Sequence, residues 1–439
     1  MALERDAAQA ALLSGVRIDD LFTSGVLDNE GAARAFRTPA YVYDLAGIRA
    51  EVASLREAFV SGGVRHLIAY AVKANSAGPI LRAVHAEGAG ADVVSGAELE
   101  LALRIGMLPE DIVYSGVAKL DEELDAAISV GPRGILSLQA ESIEELARID
   151  ARARALGRRA RVSLRINPGI EADTHAHIAT GHDEAKFGIP RADLGAALEA
   201  LASTTHIDLA GIGAHVGSQL TSLDDYVASA RMLIPLFATC EAFVAQHARP
   251  PLDLIDFGGG FGIDYGRGCP VRPADFARAL HAEVCRAGLE RLRVVVEPGR
   301  SIVGAHGVLV ATVVMAKRAA DRRWLMIDAG MNDLLRPALY QAFHRVEPTI
   351  GLADPSNGAR AHRVVGPVCE SSDDFGEHLI PEPSPTRVLL RDAGAYGFTM
   401  ASEYNGRALP TEVFLDSGKV VAVIVPRRSS AWVNERCGL

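Results

Sequence analysis

At 439 residues, and with roughly 150 per domain, the chain holds two or three domains or one large barrel with a smaller unit. Apolar residues make up 49% and charged residues 23%, a balance too apolar for a disordered chain. The formal net charge of −10 gives no global basic field to attract nucleic acid or an anionic membrane. Five cysteines (Cys240, Cys269, Cys285, Cys369, Cys437) are scattered without a C-x-x-C pair, which argues against a disulfide framework or a structural zinc site. The opening MALERDAAQAALLSGV carries acids early and lacks a basic segment before an apolar core, so a signal peptide is not expected. No uninterrupted apolar run approaches the roughly 18 residues of a membrane span. These features predict a soluble, cytoplasmic protein.

The first strand-like run is AYVYD, from Ala40 to Asp44. From about residue 66 to 300, short β-rich runs alternate with Ala/Leu/Glu/Arg stretches of helical period. The runs are HLIAYAVKA, ADVVSG, DIVYSG, GILSLQAES, RVSLRIN, LAGIGAHVGS, LDLIDFGGG and LRVVVEPGR. Short apolar strands separated by helices imply a parallel sheet buried on both faces. Eight such units predict a closed (β/α)8 barrel, with a doubly wound open sheet as the alternative. After residue 305 strand-like runs dominate, from GVLVATVVMAKR to TEVFLDSGKVVAVIVP, and predict a second, mostly β domain. The expected division is a 1–43 segment that partly joins the β domain, a 44–304 barrel and a 305–439 β domain.

In such a barrel the active site forms where strands run into their following loops. Strand one ends in Lys73, strand six in His215 and Ser218, strand seven in Gly258, Gly259 and Gly260, and strand eight in Glu297, Gly299 and Arg300. Only five lysines occur (Lys73, Lys119, Lys186, Lys317, Lys419), so amine chemistry has few candidates. Desolvation at a barrel mouth leaves more of the Lys73 amine free, as a Schiff-base lysine requires; snorkelling to solvent is the plainer alternative. Lys119 also follows a strand and is its nearest competitor. The glycines after strand seven allow close backbone approach and could cradle a phosphate, although a tight turn explains a glycine run equally well. A buried Glu297 needs a cationic partner, and a protonated pyridine nitrogen would serve. Amine, phosphate cradle and carboxylate together are what pyridoxal phosphate requires, and His215 could stack on its ring. A separate cluster, Asp173, His175, His177 and His182, resembles a metal site but lacks a clear set of further ligands, and a loop at the site mouth is the preferred reading; no metal is expected.

The motifs YAVKAN, HVGSQ, DFGGGFGIDY, EPGRSIVG, AGMNDLLRPALY, VVGPVCESSDDFG and GAYGFTMASEYNGR occur in the order found in diaminopimelate decarboxylases. From about Tyr41 to Val425 the chain resembles this branch of the fold-type III pyridoxal phosphate decarboxylases, relatives of alanine racemase and eukaryotic ornithine decarboxylase. The resemblance implies that Lys73 carries the cofactor, Glu297 pairs with its pyridine nitrogen and His215 stacks on the ring. It places Ser218, Gly259, Gly260, Gly299, Arg300 and Tyr396 at the cofactor, most of them near the phosphate. It assigns Arg300, Arg336, Tyr340 and Tyr396 to the substrate, the first three at its distal carboxylate, with Glu370 at the distal amino group. Cys369 is implied as the proton donor, reaching with Glu370 into the site of the other subunit of a homodimer.

The implied reaction is decarboxylation of meso-2,6-diaminopimelate at its D-configured centre to L-lysine and carbon dioxide. Ala97 stands where the family pattern has Gly, and Ser372 fills the variable place in CES-x-D; neither removes a reacting group. Three alternatives make different predictions. A related enzyme of a specialised pathway would act on another amino acid or a carrier-bound substrate. A racemase on the same barrel would release no carbon dioxide. A non-catalytic cofactor-homeostasis protein would not need the additional β domain.

Overall fold

Short apolar runs rich in Val, Ile and Leu form parallel strands here because both faces of each are covered. The computed structural model describes residues 11–23, 36–169, 186–269, 271–351, 358–426 and 429–438, with backbone alone at 4–5, 26–27 and 33–34. Two compact units are formed: Met1–Ile48 with Asp264–Gly268 and Ile302–Leu439, and Arg49–Ile263 with Cys269–Ser301.

The second unit holds eight strands: β1 (His66–Ala71), β2 (Gly90–Val93), β3 (Ile112–Tyr114), β4 (Ser137–Ala140), β5 (Ala160–Asn167), β6 (Ile207–Gly213), β7 (Leu254–Gly259) and β8 (Arg293–Glu297). Each pairs in parallel with its neighbour, and β8 pairs with β1, so the sheet closes into a barrel. Its interior includes a cluster of Leu67, Ala69, Val113, Leu136, Ala210, Leu254 and Val295. The helices after β1 to β7 are α1 (Gly78–Ala86), α2 (Gly96–Ile105), α3 (Asp121–Ser129), α4 (Ile143–Ala155), α5 (Leu194–Ala202), α6 (Asp224–Gln246) and α7 (Pro273–Arg286). Their starts follow from local chemistry. Ser95 Oγ accepts the Glu98 N–H at the head of α2, and Ser142 Oγ accepts the Glu145 N–H at the head of α4. Helix α6 is long and apolar enough to cross a membrane by length and composition. Its Tyr226, Ala230, Leu233, Phe237, Cys240 and Val244 recur every three or four residues and are all buried, as on the inner face of a barrel helix.

In the first unit the strand Gly307–Ala319 is the hub. It runs antiparallel to Ala40–Asp44, Arg322–Ile327 and Arg387–Leu390. The early run Ala40–Asp44 also lies parallel to Thr411–Asp416, so this strand from before the barrel is built into the β sheet. Alternate residues of these strands (Val42, Val308, Val310, Leu389, Val413, Leu415) pack with Ile18, Leu21 and Phe22 in one core cluster.

Candidate active site

The C-terminal ends of the barrel strands carry the polar residues. Lys73 lies in a single turn, Val72–Ala74, directly after β1. The β1–β2 register sets Ala71 opposite Asp92, and Lys73 Nζ donates to Asp92 Oδ2 at 2.8 Å. The Asp92 side chain is fully buried while that of Lys73 keeps 38% exposure, so the amine is anchored yet open. Ser115 Oγ donates to the other Asp92 oxygen.

Lys119 is a different kind of lysine. Its Nζ donates to the carbonyls of Gly116 and Gln139, both at 2.7 Å, and to Glu145 Oε1 at 3.1 Å. All three ammonium protons are spent on buried acceptors, which removes it as a competitor for amine chemistry. Burial lowers its pKa, opposed by Glu145 and Glu141. Beside it, Arg165 Nη1 donates to Glu141 Oε1 at 2.7 Å, and Glu141 also accepts the N–H groups of Gly116 and Gly188.

His215 follows β6 and accepts the Gly259 N–H at Nδ1, 3.2 Å away. Burial, then the charges of Arg165 and Lys73, hold its pKa well below the ordinary histidine value, so the ring is neutral. The register between β7 and β8 slips between Asp256 and Gly259, setting Gly259 opposite Glu297. A Cβ at Gly259 would sit 1.9 Å from the Glu297 carbonyl, and one at Gly260 (φ +91°) 2.2 Å from the Gly217 carbonyl. Only glycine fits these two places. Glu297, at the end of β8, accepts Gln139 Nε2 at 2.9 Å. Burial, Asp256 and Asp92 raise its pKa well above the carboxylate range, with Lys73 opposing. Gly299 and Arg300 follow, and Arg300 Nη2 donates to Ser218 Oγ at 3.0 Å.

The remaining candidates belong to the β unit. Arg336 opens the short helix Arg336–Tyr340, which ends in Tyr340. Its Nη1 donates to His344 Nε2 at 2.7 Å, and His344 Nδ1 donates to the Arg391 carbonyl at 2.8 Å. The guanidinium also lies 4.9 Å from the Tyr265 ring centroid. Tyr396 adopts the left-handed backbone region at φ +55°. Cys369 and Glu370 are exposed. Asp373 shapes their loop by accepting the N–H groups of Val368 and Met331. Asn405 accepts the Cys369 N–H at 3.0 Å, and Tyr404 donates to Glu370 Oε1 at 2.6 Å. The cluster Asp173, His175, His177 and His182 lies outside the described residues. Among the described residues no group of three or more His, Cys, Asp or Glu is placed to hold a metal ion.

Residues 45–304 match the family model for the pyridoxal binding domain of pyridoxal-dependent decarboxylases. The chain belongs to the pyridoxal-dependent decarboxylases. This decarboxylase is 38% identical over 400 residues to a diaminopimelate decarboxylase of Zymomonas mobilis, covering 90% of the chain and 92% of that relative. Its fold matches the crystal structure of diaminopimelate decarboxylase from Helicobacter pylori complexed with L-lysine at a TM-score of 0.82 and 36% identity, covering 92% and 98% of the two chains. A diaminopimelate decarboxylase from M. jannaschii in complex with L-lysine gives a TM-score of 0.82 at 31% identity, covering 91% and 92%.

The barrel's residues suit pyridoxal phosphate. Two buried carboxyls, Asp256 and Glu297, compete for the amide of Gln139, and a ring cation would relieve them. The glycine segment leaves backbone where side chains would intrude, and Arg300 with Ser218 offers a cation and a hydroxyl. Asp92, Gln139, Asp256, Arg165 and His344 were not singled out by the motif reading. Each is a buried polar residue inside or beside an apolar run, which was the available signal.

Proposed function

We propose that this enzyme removes carbon dioxide from the D-configured centre of meso-2,6-diaminopimelate and leaves L-lysine. The observation that carries the reading is Arg336, buried and fixed between His344 and Tyr265, with Glu370 contributed by a second copy. A planar guanidinium suits the distal carboxylate of the substrate, and a carboxylate suits its distal ammonium. The similarity along nine-tenths of the chain to diaminopimelate decarboxylases supports the same choice.

In this reading Lys73 would hold the cofactor through its aldehyde, Glu297 would serve the ring nitrogen and His215 the ring. Ser218, Gly259, Gly260, Gly299, Arg300 and Tyr396 serve the phosphate, while Arg300, Tyr340 and Tyr396 join Arg336 in holding the substrate. When bound, pyridoxal phosphate supplies the sink for the electron pair left by the departing carboxylate. Asp92, 2.8 Å from the Lys73 amine, would hold that amine when the substrate amine takes its place on the cofactor. Neutral His215 leaves the ring's positive charge to Glu297. The Cys369 thiol then delivers its proton to the carbon that lost carbon dioxide. Cys369 and Glu370 act in the site of a second copy, so the working form is a homodimer.

Purified enzyme with pyridoxal phosphate should release carbon dioxide from meso-diaminopimelate far faster than from L-lysine, ornithine or arginine. Equal turnover of these monocarboxylic amino acids would overturn the assignment. The dimer is tested by mixing two inactive variants, Lys73→Ala and Cys369→Ala. Recovery of activity on mixing is expected, and its absence in co-purified mixed dimers would place Cys369 elsewhere.

A further inference from the structure

The carboxyl groups at the ends of β7 and β8 form a pair that no step above uses in full. Gln139 Nε2 donates to Asp256 Oδ2 at 2.7 Å and to Glu297 Oε1 at 2.9 Å. One amide nitrogen thus spends both its protons on two carboxyls and draws them within reach of each other. The Gly258 N–H donates to Asp256 Oδ1 at 2.9 Å. Exposure is 3% at Gln139, 1% at Asp256 and 6% at Glu297, so water does not separate the charges.

The neighbouring groups sharpen the conflict. Asp92 on β2 adds a third negative charge, and Lys73 after β1 is the cation that acts on Glu297. From α6 the buried Tyr226 hydroxyl is held in its neutral form, by burial first and then by the charges of Asp256 and Glu297. Two carboxylates this close in a dry site cannot both ionise without a cation between them. Asp256 accepts two N–H donors, from Gly258 and Gln139, which favour its charged form, while burial pushes the Glu297 carboxyl well above its ordinary range. The charge therefore belongs on Asp256 and the proton on Glu297.

We propose that Asp256, tethered by Gln139, is a positioning residue that keeps one proton on the carboxyl pair, so that Glu297 meets the ring nitrogen of pyridoxal phosphate as a proton donor. Before the cofactor enters, the pair holds one proton and one negative charge. Once the nitrogen is seated, that proton passes from Glu297 to it. Two carboxylates then face one ring cation, the summed charge is still one negative, and no proton is drawn from solvent. Asp256 supplies the standing charge that keeps the nitrogen protonated. The inference rests on the proposed pairing of Glu297 with that nitrogen.

The test uses the full chain loaded with pyridoxal phosphate isotope-labelled at the ring nitrogen, whose magnetic resonance shift reports protonation directly as pH is raised. The wild-type nitrogen should stay protonated through the neutral range. In Asp256→Asn it should lose its proton at a pH lower by about one to two units, the usual effect of removing one nearby charge. In Glu297→Gln it should lose the proton outright. A wild-type titration in Asp256→Asn with a changed one in Glu297→Gln would sink the role of Asp256 alone, whereas an unchanged Glu297→Gln would sink the pairing itself. If Asp256→Asn does not fold, Asp256→Glu and Gln139→Leu carry the test. Asp256→Glu should retain the wild-type titration, and Gln139→Leu should move it in the same direction as charge removal. No movement in Gln139→Leu overturns the proposal.

Discussion

The Lys73 amine and the Asp92 carboxylate meet at 2.8 Å, with the acid sealed and the base partly open. This asymmetry is what the proposed attachment of the cofactor to Lys73 requires. Borohydride reduction followed by peptide mapping should place the cofactor on the peptide containing Lys73 and leave Lys119 unlabelled. Lys73→Ala should lose visible cofactor absorbance. It should also cost about 1–3 kcal/mol of stability in denaturant titration, because Asp92 loses its cationic donor. A label on Lys119 would show the assignment to be wrong.

Arg336 depends on His344 for its orientation, since the imidazole accepts from Nη1 and is itself fixed by the Arg391 carbonyl. Arg336→Ala should lower kcat/KM for meso-diaminopimelate about a hundredfold, the worth of a charged hydrogen-bonded pair. His344→Leu keeps the charge but removes one of the contacts that orient the guanidinium, and should raise KM roughly tenfold with a smaller change in kcat. Steady-state kinetics of the two variants separates charge from orientation; equal losses would show that His344 does more than hold the arginine.

Glu412 is buried and accepts from the Tyr43 hydroxyl at 3.1 Å, and burial raises its pKa from 4.5 to about 7. The folded state therefore holds a proton that the unfolded state releases above about pH 4.5. The contribution to stability is complete below that value and is lost as pH rises through about 7. Glu412→Gln keeps the acceptor and removes the titration. It should flatten the fall of Tm between acid and mildly alkaline pH, with a gain on the order of 2–3 kcal/mol at the alkaline end. Calorimetry at several pH values checks this, and parallel curves for the two proteins would contradict it.

Gly259→Ala forces a methyl against the Glu297 carbonyl. Backbone must shift at the slip between β7 and β8, and a loss of about 2 kcal/mol or more in stability is expected. Cofactor affinity, read by titrating the stripped protein with pyridoxal phosphate, should fall with it. An alanine variant that binds normally would mean that this stretch of backbone is softer than its packing indicates.

Much of this was open to a reader of the sequence. Eight apolar runs, each ending in a polar or glycine residue, specified the parallel barrel and the end that carries the chemistry. Lys73, His215, Glu297 and Arg300 lie at those ends because period and motif agree there. Lys119 shows where pattern alone fails. It also follows a strand, and only the three-dimensional arrangement reveals that Gly116, Gln139 and Glu145 consume its protons. Asp256 and Gln139 sit within apolar runs, and their pairing with Glu297 depends on register across strands far apart in sequence. His344 lies eight residues beyond Arg336, and their contact needs the chain reversal after the short helix.

The crowding at Gly259 and Gly260 has an evolutionary consequence. A lineage that acquired a new substrate would have no tolerated side-chain change at these two positions, so variation would be channelled to surface loops such as the one bearing Cys369 and Glu370. Libraries built to retune selectivity should leave the glycine segment and Cys369 untouched and diversify the rest of that loop.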